Sequence, residues 1–479
     1  MSMKLMRGLL TVFACLWFVV SAAAQIIQPV CSFTNLITYN SPRNLKAGLA
    51  LGPDGNFYGM TLYGGTKGYG TIFRVTAAGT LTVIANFDYK SGDAPQASLT
   101  LGPDGNFYGT TPSGGLYLGG TVFQVTTTGA LRTIFSFHTA VWSGSGVTNT
   151  DGATPYASLT LGSDNCFYGT TSEGGMNGGG GTVFRITTNG MLTTLTQFGN
   201  PNGSTDPNIP GGAPYGRMAF GPDGNLYGTT FLGGYQGNGT VFKMTTNGAF
   251  TTLVRFGETN GSEPEGDLTL GPDGNLYGTT LNGGAGGDGT VFKMTTNGVL
   301  TTIIPFDYRA ANTPMAGLTL GPDGYLYGTL AEGNPPNTDG AIFRTTTNGT
   351  WTILANFAGT NGHQPEAPLT LGPDGNFYGT TFGGGNTDPN AAGAVYRVNI
   401  TPVISNQVLA ILMNANGVMT LNCASTPGST NRLWVTTNPN LPMSQWQVIA
   451  TNIATNGVFQ FVDPDTGGKP MKFYRVSTP

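Results

Sequence analysis

Short runs rich in Leu, Val, Ile, Thr, Tyr and Phe alternate with polar, glycine-rich gaps along nearly the whole chain. The stretch from Pro264 shows the grammar. Leu268-Thr269-Leu270 alternates and stops at Gly271-Pro272-Asp273-Gly274, a turn in which glycine supplies positive φ and aspartate bonds its own backbone. Leu276–Thr280 reads as a second strand, and a glycine-rich loop, Asn282 to Gly289, leads to a third, Thr290–Thr295. The third strand carries the β-branched and aromatic residues that suit a pleated surface. Asn297-Gly298 then signals a two-residue hairpin of type I′, with positive φ at both central residues. Leu300–Ile304 is a fourth strand, ended by Phe306. Beyond the N-terminal segment no ten-residue window carries the 3.6-residue period of a helix.

The unit recurs. Leu51–Gly59 reads Leu-Gly-Pro-Asp-Gly-Asn-Phe-Tyr-Gly, and near-copies begin at Leu101, Leu161, Phe220, Leu270, Leu320 and Leu371, at steps of 50, 60, 59, 50, 50 and 51 residues. Seven copies at this period predict a repeat architecture. Four antiparallel strands per copy predict an all-β, seven-bladed β-propeller, each small sheet covered by its neighbours. A linear solenoid is the alternative, and the ends favour a ring. The seventh copy passes from Ala394–Val398 to Thr401-Pro402 without a fourth strand, while Phe33–Tyr39 matches Leu192–Phe198. An N-terminal strand with Leu36 beside Tyr396 would complete the last blade and remove two exposed edges. The propeller is expected over residues 31–400.

With those residues in view, a resemblance is specific. The run Leu-Thr-Leu-Gly-Pro-Asp-Gly-Asn-Leu-Tyr-Gly-Thr-Thr, followed by Gly-Gly and Gly-Thr-Val-Phe-Lys-Met-Thr-Thr-Asn-Gly, resembles the Gloeo-Verruco repeat of bacterial exported proteins. That resemblance implies secretion and tandem repeats, and no settled activity. Gly-Pro-Asp-Gly-Asn-Leu-Tyr is more loosely similar to blades of streptogramin lyases and gluconolactonase-type propellers.

From Val403 the repeat gives way to strand-like runs at Val408–Met413, Val418–Cys423, Leu433–Thr437, Trp446–Ala450, Val458–Val462 and Phe473–Val476. They predict a small β-sandwich over residues 403–479. Arg432–Asn438, Gln445-Trp446 and Phe473–Val476 resemble a fibronectin type III-like module, with Trp434 and Trp446 expected in its core.

The N-terminus reads as a secretory signal over residues 1–24, with a membrane anchor as the alternative. Lys4 and Arg7 form a positive n-region, Leu9–Val20 is apolar but short for a span, and Ala22-Ala23-Ala24 offers a cleavage site before Gln25. No membrane span is expected after its removal, and the mature chain is expected to be a monomer on the cell surface or in the medium. Only 9% of residues are charged and the formal net charge is −4, so no basic field exists to hold nucleic acid. Cys31, Cys166 and Cys423 cannot all pair and form no CxxC, which supports neither a disulfide framework nor a zinc site.

Candidate chemistry lies where the copies differ. Links between second and third strands, and between blades, vary, and variable loops on a rigid scaffold are where binding is usually placed. The longest, Phe137–Tyr156 and Phe198–Tyr215, build up one sector; the first holds His138 and Trp142. Each inner strand is entered through a changing residue: Lys46, Gln96, Tyr156, Tyr215, Glu265, Met315 and Glu366. In a ring these would circle the mouth of the central channel. Two positions on, Arg217 and Asp267 are the only charges of their series; they either pair across blades or orient a polar ligand. Loop aromatics Tyr63, Tyr69, Tyr117, Phe231, Tyr235 and Phe382 either stack on sugars or cap blade edges. The repeated aspartates Asp54, Asp104, Asp164, Asp223, Asp273, Asp323 and Asp374 read as turn formers, since Asp-x-Asn alone falls short of a calcium shell.

An enzyme of lyase or lactonase type using the channel is the second functional class. His138 and His363 are the only histidines, both are expected in blade-to-blade loops, and no nucleophile–base pair can be named. The expectation is a binding or interaction scaffold for an extracellular glycan or protein, with no cofactor, no metal and no catalytic residue assigned.

Overall fold

Why the repeat folds as it does is visible in blade five of the computed structural model. Thr269–Leu270, Leu276–Thr280, Thr290–Met294 and Leu300–Pro305 are adjacent antiparallel strands in chain order. The second is buried at every residue, the third at all but one, and the fourth, at the edge, is mostly half-exposed. Gly278 opposes Phe292 in the ladder. A Cβ there would lie 2.5 Å from the Phe292 ring, so glycine is what lets the ring cross the second strand.

The structure describes residues 27–33, 43–140, 142–143, 146–147, 149–175, 179–199, 211–307, 313–333, 339–385, 392–399, 407–413, 419–424, 430–436, 447–453, 458–463 and 473–477. Contacts divide the chain after Ile400: Ile26–Ile400 is one compact unit, and Thr401–Pro479 belongs to the other. The first unit contains seven four-stranded sheets, the blades of a β-propeller.

Five of the seven blades, all but blades one and four, are stapled to the next by the same pair of threonines. Thr319 Oγ1 donates to the Leu369 carbonyl of the following blade at 2.7 Å, and Thr329 Oγ1 to that of Ala367 at 3.2 Å. Blade seven does the same to blade one: Thr380 Oγ1 donates to the Ala47 carbonyl at 2.9 Å, and Thr370 Oγ1 to that of Leu49 at 2.5 Å. The Tyr58 ring packs on Phe107 of the next blade at 4.4 Å, and Tyr378 of blade seven packs on Phe57 of blade one at 4.0 Å. Buried apolar residues accordingly fall into clusters that lie between successive blades, the last cluster joining Tyr378 and Val395 to Leu49 and Phe73. Such stacking buries both faces of sheets too small to be stable alone.

Two expectations are corrected. The strand beside Ala394–Val398 is Ile27–Ser32, antiparallel, with Ile27 opposite Val398 and Pro29 opposite Tyr396. Phe33 therefore occupies the place of Phe198, not of Leu192: the Phe33 N–H donates to the Gly393 carbonyl as that of Phe198 donates to Gly181. The predicted alignment was six residues too late, and Leu36 lies outside the described residues. Pro29 argues against a strand only in a sheet interior; at an edge its missing N–H costs nothing. The second correction concerns the hairpins. Gly298 has φ of +90°, but Asn297 does not share a positive φ. The Gly298 N–H donates to the Thr295 carbonyl and the Thr295 N–H to that of Val299. This is a type I turn closed by a glycine bulge, a three-residue loop rather than type I′.

In the C-terminal unit, Gln407–Met413, Met419–Ala424 and Val458–Asp463 form one three-stranded antiparallel sheet, and Gln447–Ile453, Thr430–Thr436 and Phe473–Ser477 another. Leu433 and Phe461 are buried. The side chains of Trp434 and Trp446 lie outside the described residues. Cys31 and Cys166 carry free thiols; burial pushes the Cys31 thiol up to about 11.

Candidate functional site

Ahead of each inner strand a proline, or Leu45 in blade one, is followed by a half-buried residue and then a buried small one. Lys46, Gln96, Tyr156, Tyr215, Glu265, Met315 and Glu366, one from each blade, line a single cavity of about 510 Å³. Asp267, two positions beyond Glu265, lines it as well; Arg217 is beside it but outside the lining. The position two residues in from the mouth forms a partial belt. The Gly48 N–H donates to Ser98 Oγ at 2.9 Å, the Ser98 N–H to Ser158 Oγ at 2.8 Å, and the Arg217 N–H to Asp267 Oδ1 at 2.7 Å. The Arg217 guanidinium also pairs with Asp267 at 3.4 Å, across blades four and five.

The mouth is unevenly furnished. On one side the rings of Tyr156 and Tyr215 meet edge to face, 5.4 Å apart at 71°. Phe231 extends this wall, 5.2 Å from Tyr215 at 66°. On the other side Lys46 Nζ lies 3.6 Å from Glu366 Oε2. Burial raises the Glu366 carboxyl above its ordinary range, and Lys46 pulls it partly back. Burial likewise raises Glu265; Lys46 lowers it, while Glu366 and Glu263 add to the rise. Among the described residues no cation lies within ion-pair distance of Glu265. Burial, then the charge of Glu173, raises the Tyr156 hydroxyl.

The loop aromatics separate. Phe231, expected on the loop face, belongs to the mouth, because the second strand ends at Thr230 and the next ring turns in against Tyr215. Tyr63 is exposed, with the Arg43 guanidinium over its ring. Tyr117 stacks on His138 at 4.0 Å and lines a separate open groove of about 580 Å³ with exposed Leu116 and Leu118. His138 ends the extended fourth strand Leu131–His138 rather than lying in a loop, and its Nδ1 is 3.0 Å from Asp151 Oδ2. Trp142 pairs with Val147 in a two-residue ladder within the long link, and Tyr235 opens a short 3-10 turn; the side chains of both lie outside the described residues. His363 bridges Gly383. Among the described residues no group of three or more His, Cys, Asp or Glu is placed to hold a metal ion.

At the opposite end of the inner strands the sequence reading found only half of what the repeated aspartates do. Asp273 Oδ1 accepts the Asn275 N–H, as a turn former should. Its Oδ2 also accepts the Tyr277 hydroxyl at 2.8 Å and lies 2.6 Å from Lys293 Nζ. The same set recurs with Tyr227 and Lys243 at Asp223, and with Tyr168 and Arg185 at Asp164. The signal was available: tyrosine recurs four residues after each aspartate, and Lys, Arg or Gln recurs on the third strand. Burial raises Asp273, but Lys293, Asn275 and Tyr277 outweigh it and hold the carboxyl well below its usual range.

The profile of the Gloeobacter/Verrucomicrobia repeat matches residues 23–210, 142–339 and 205–396. No curated protein matches the sequence. Among solved structures, the chain is similar to a candidate 6-phosphogluconolactonase from Bacteroides uniformis (17% identity, 85% of this chain and 100% of that one, TM-score 0.46). It is also similar to PorZ, a surface component of the type-IX secretion system of Porphyromonas gingivalis (12% identity, 92% and 58%, TM-score 0.49). A third similarity is to a gluconolactonase from Xanthomonas campestris (12% identity, 65% and 90%, TM-score 0.38).

Proposed function

This chain belongs to the Gloeobacter/Verrucomicrobia repeat family, and from that premise we propose that it is an exported binding scaffold whose channel mouth captures an extracellular ligand, glycan or protein, without converting it. One observation carries the reading. Ahead of inner strands that otherwise repeat, the one position per blade that changes from copy to copy meets its counterparts at one cavity. Structural pressure alone would leave them as alike as the aspartates of the other end. The aromatic wall and the half-buried carboxylates give that cavity the apolar surface and few polar anchors typical of a ligand site.

Residues 1–24 act as the secretory signal in this reading, and the edge strand Ile27–Ser32 closes the ring, so that the exported chain works as a monomer. Residues 403–479 form a β-sandwich of fibronectin type III-like kind. The mature protein is to be tested on a glycan array and by pull-down from surface extracts, beside a variant with Tyr156→Ala and Tyr215→Ala. The proposal expects a ligand retained by the parent and lost by the variant at unchanged melting temperature. A ligand held equally by both would overturn it.

A further inference from the structure

The charge balance at the mouth narrows the ligand, given the reading of that cavity as the binding site. Two of its acids are already matched: Glu366 by Lys46, and Asp267 by Arg217. Glu265 is the exception. Its neighbours around the ring are Tyr215 of blade four and Met315 of blade six, neither of them charged. Lys46, whose charge reaches it, is engaged by Glu366. The mouth therefore presents one carboxylate without an ion-pair partner among the described residues, directly after an aromatic wall.

The wall has a shape that selects among ligands. A pyranose is served by one flat ring face on which its C–H groups stack. Here Tyr156, Tyr215 and Phe231 stand nearly perpendicular, pair by pair, at 71° and 66°. A group seated in the corner between two such rings meets a face of each, an arrangement that attracts a cation. The rings are half-buried, and they line the cavity. Placing a carboxylate beside that corner adds a second attraction of the same sign. Met315, polarisable and flexible, suits the methyl or methylene groups around such a charge.

We propose that the channel mouth binds an ammonium group, primary or quaternary, seated between the rings of Tyr156, Tyr215 and Phe231 and the carboxylate of Glu265. The cavity is several times larger than that group, so the rest of the ligand passes along Gln96 and the Lys46–Glu366 pair. The bearer is either a free amine or the end of a lysine side chain. The raised Glu265 carboxyl fits this assignment, since a bound cation restores the partner that its charged form lacks.

The test is calorimetric titration of the full chain with choline and with its neutral isostere 3,3-dimethylbutan-1-ol. Cadaverine and Nα-acetyl-lysine amide distinguish the two bearers, with Nα-acetyl-norleucine amide as the uncharged control. Choline, cadaverine or the lysine amide should bind at least about tenfold tighter than its uncharged counterpart. Glu265→Gln should remove most of that difference at a melting temperature no lower than the parent's, and binding should weaken as the pH falls through the titration of Glu265. Tyr215→Leu should weaken the cation as well, and Glu265→Gln keeps the test valid if that variant folds poorly. Equal binding of charged and neutral probes, no binding of any cationic probe at millimolar concentration, or indifference to Glu265→Gln overturns the inference. A ligand from the array that is lost with Tyr215→Leu but untouched by Glu265→Gln overturns the ammonium assignment and leaves the mouth as a site. A ligand untouched by either substitution overturns both.

Discussion

Asp273 and Glu265 sit on the same blade, at opposite ends of its inner strand, and their carboxyl groups are shifted in opposite directions. Asp273 accepts from Asn275, Tyr277 and Lys293 and is held low. Glu265 is desolvated without an ion-pair partner among the described residues and is held high. The same contrast runs round the ring. At the turn end, aspartate and tyrosine recur with Lys, Arg or Gln on the third strand, and the aspartate accepts the tyrosine hydroxyl in every blade. At the mouth, each copy contributes something different. Where a repeat keeps its residues, it is solving the folding problem that every blade shares. Where it changes them, the polar groups are left facing a cavity, and the stability they forgo is available for a ligand.

The largest test of this division concerns the shared scaffold on which both ends depend. Deleting residues 27–33 strips the edge strand from blade seven and exposes the Ala394–Val398 ladder. Aggregation on expression, or loss of the cooperative transition, is expected by light scattering and thermal melting. A soluble, cooperatively folding deletion would show that the seventh sheet does not need this strand.

Next comes the turn end. Asp273→Ala removes the acceptor of Tyr277 and the partner of Lys293, and is expected to cost about 2–3 kcal/mol in urea denaturation. Because the folded carboxyl is lowered, its stabilisation is whole above the unfolded value of 3.8 and fades as the pH falls toward the folded value. The difference between parent and variant should therefore shrink on acidification below about pH 4.

A smaller effect sets one blade against another. In blade five the buried hydroxyls of Thr280 and Thr290 face each other at 2.8 Å. Blade six has Leu330 and Ala341 at these positions, also paired and buried. Thr280→Ala alone should cost about 1–2 kcal/mol by leaving Thr290 without its partner. The double change Thr280→Leu with Thr290→Ala should cost less than the single one, which chemical denaturation of the three proteins would read directly.

Tyr396 offers an effect of opposite sign. It stands where blade five has Phe292, opposite the strand-two glycine. Its hydroxyl is buried with no hydrogen-bond partner among the described residues, and burial raises it far above its ordinary value. Tyr396→Phe should stabilise the fold by about 1 kcal/mol, read as a higher melting temperature.

The smallest effect is at the mouth, and it too is a gain. Glu265→Gln should raise stability at pH 7 by up to ~0.5 kcal/mol. A raised folded pKa means that the contribution of Glu265 is fully present below the unfolded value of 4.5 and is lost as the pH rises through the folded one. The advantage of the variant should accordingly disappear in acid. A loss of stability at neutral pH would place Glu265 among the structural residues and remove the contrast with Asp273.

Much of this was legible in the residues before any coordinates. The alternation in Leu268–Leu270 and the β-branched run at Thr290 specify strands, and the copy number specifies seven sheets, because strand period and turn chemistry are local. The six strands of the C-terminal unit were legible for the same reason, although the start of Thr430–Thr436 and the end of Gln447–Ile453 lie three residues beyond the expected bounds. The identity of the edge strand was not. Phe33–Tyr39 alternates more regularly than Ile27–Ser32, and only the pairing of Phe33 with Gly393 shows which segment sits beside Tyr396. Nor was the hairpin type, since Asn-Gly serves both a two-residue loop and a bulged one.

The seven residues of the mouth could be enumerated from the repeat, because equivalent positions in equivalent blades must be equivalent in space. What the sequence could not supply was which of them touch. That Lys46 pairs with Glu366, that Phe231 joins Tyr215, and that Glu265 has no ion-pair partner among the described residues depend on distances across the ring between residues far apart in the chain. Local patterning decides the strand and the turn, where the interacting groups are a few residues apart. Charge pairing and the meeting of rings depend on closure of the whole circle, and so belong to the tertiary structure.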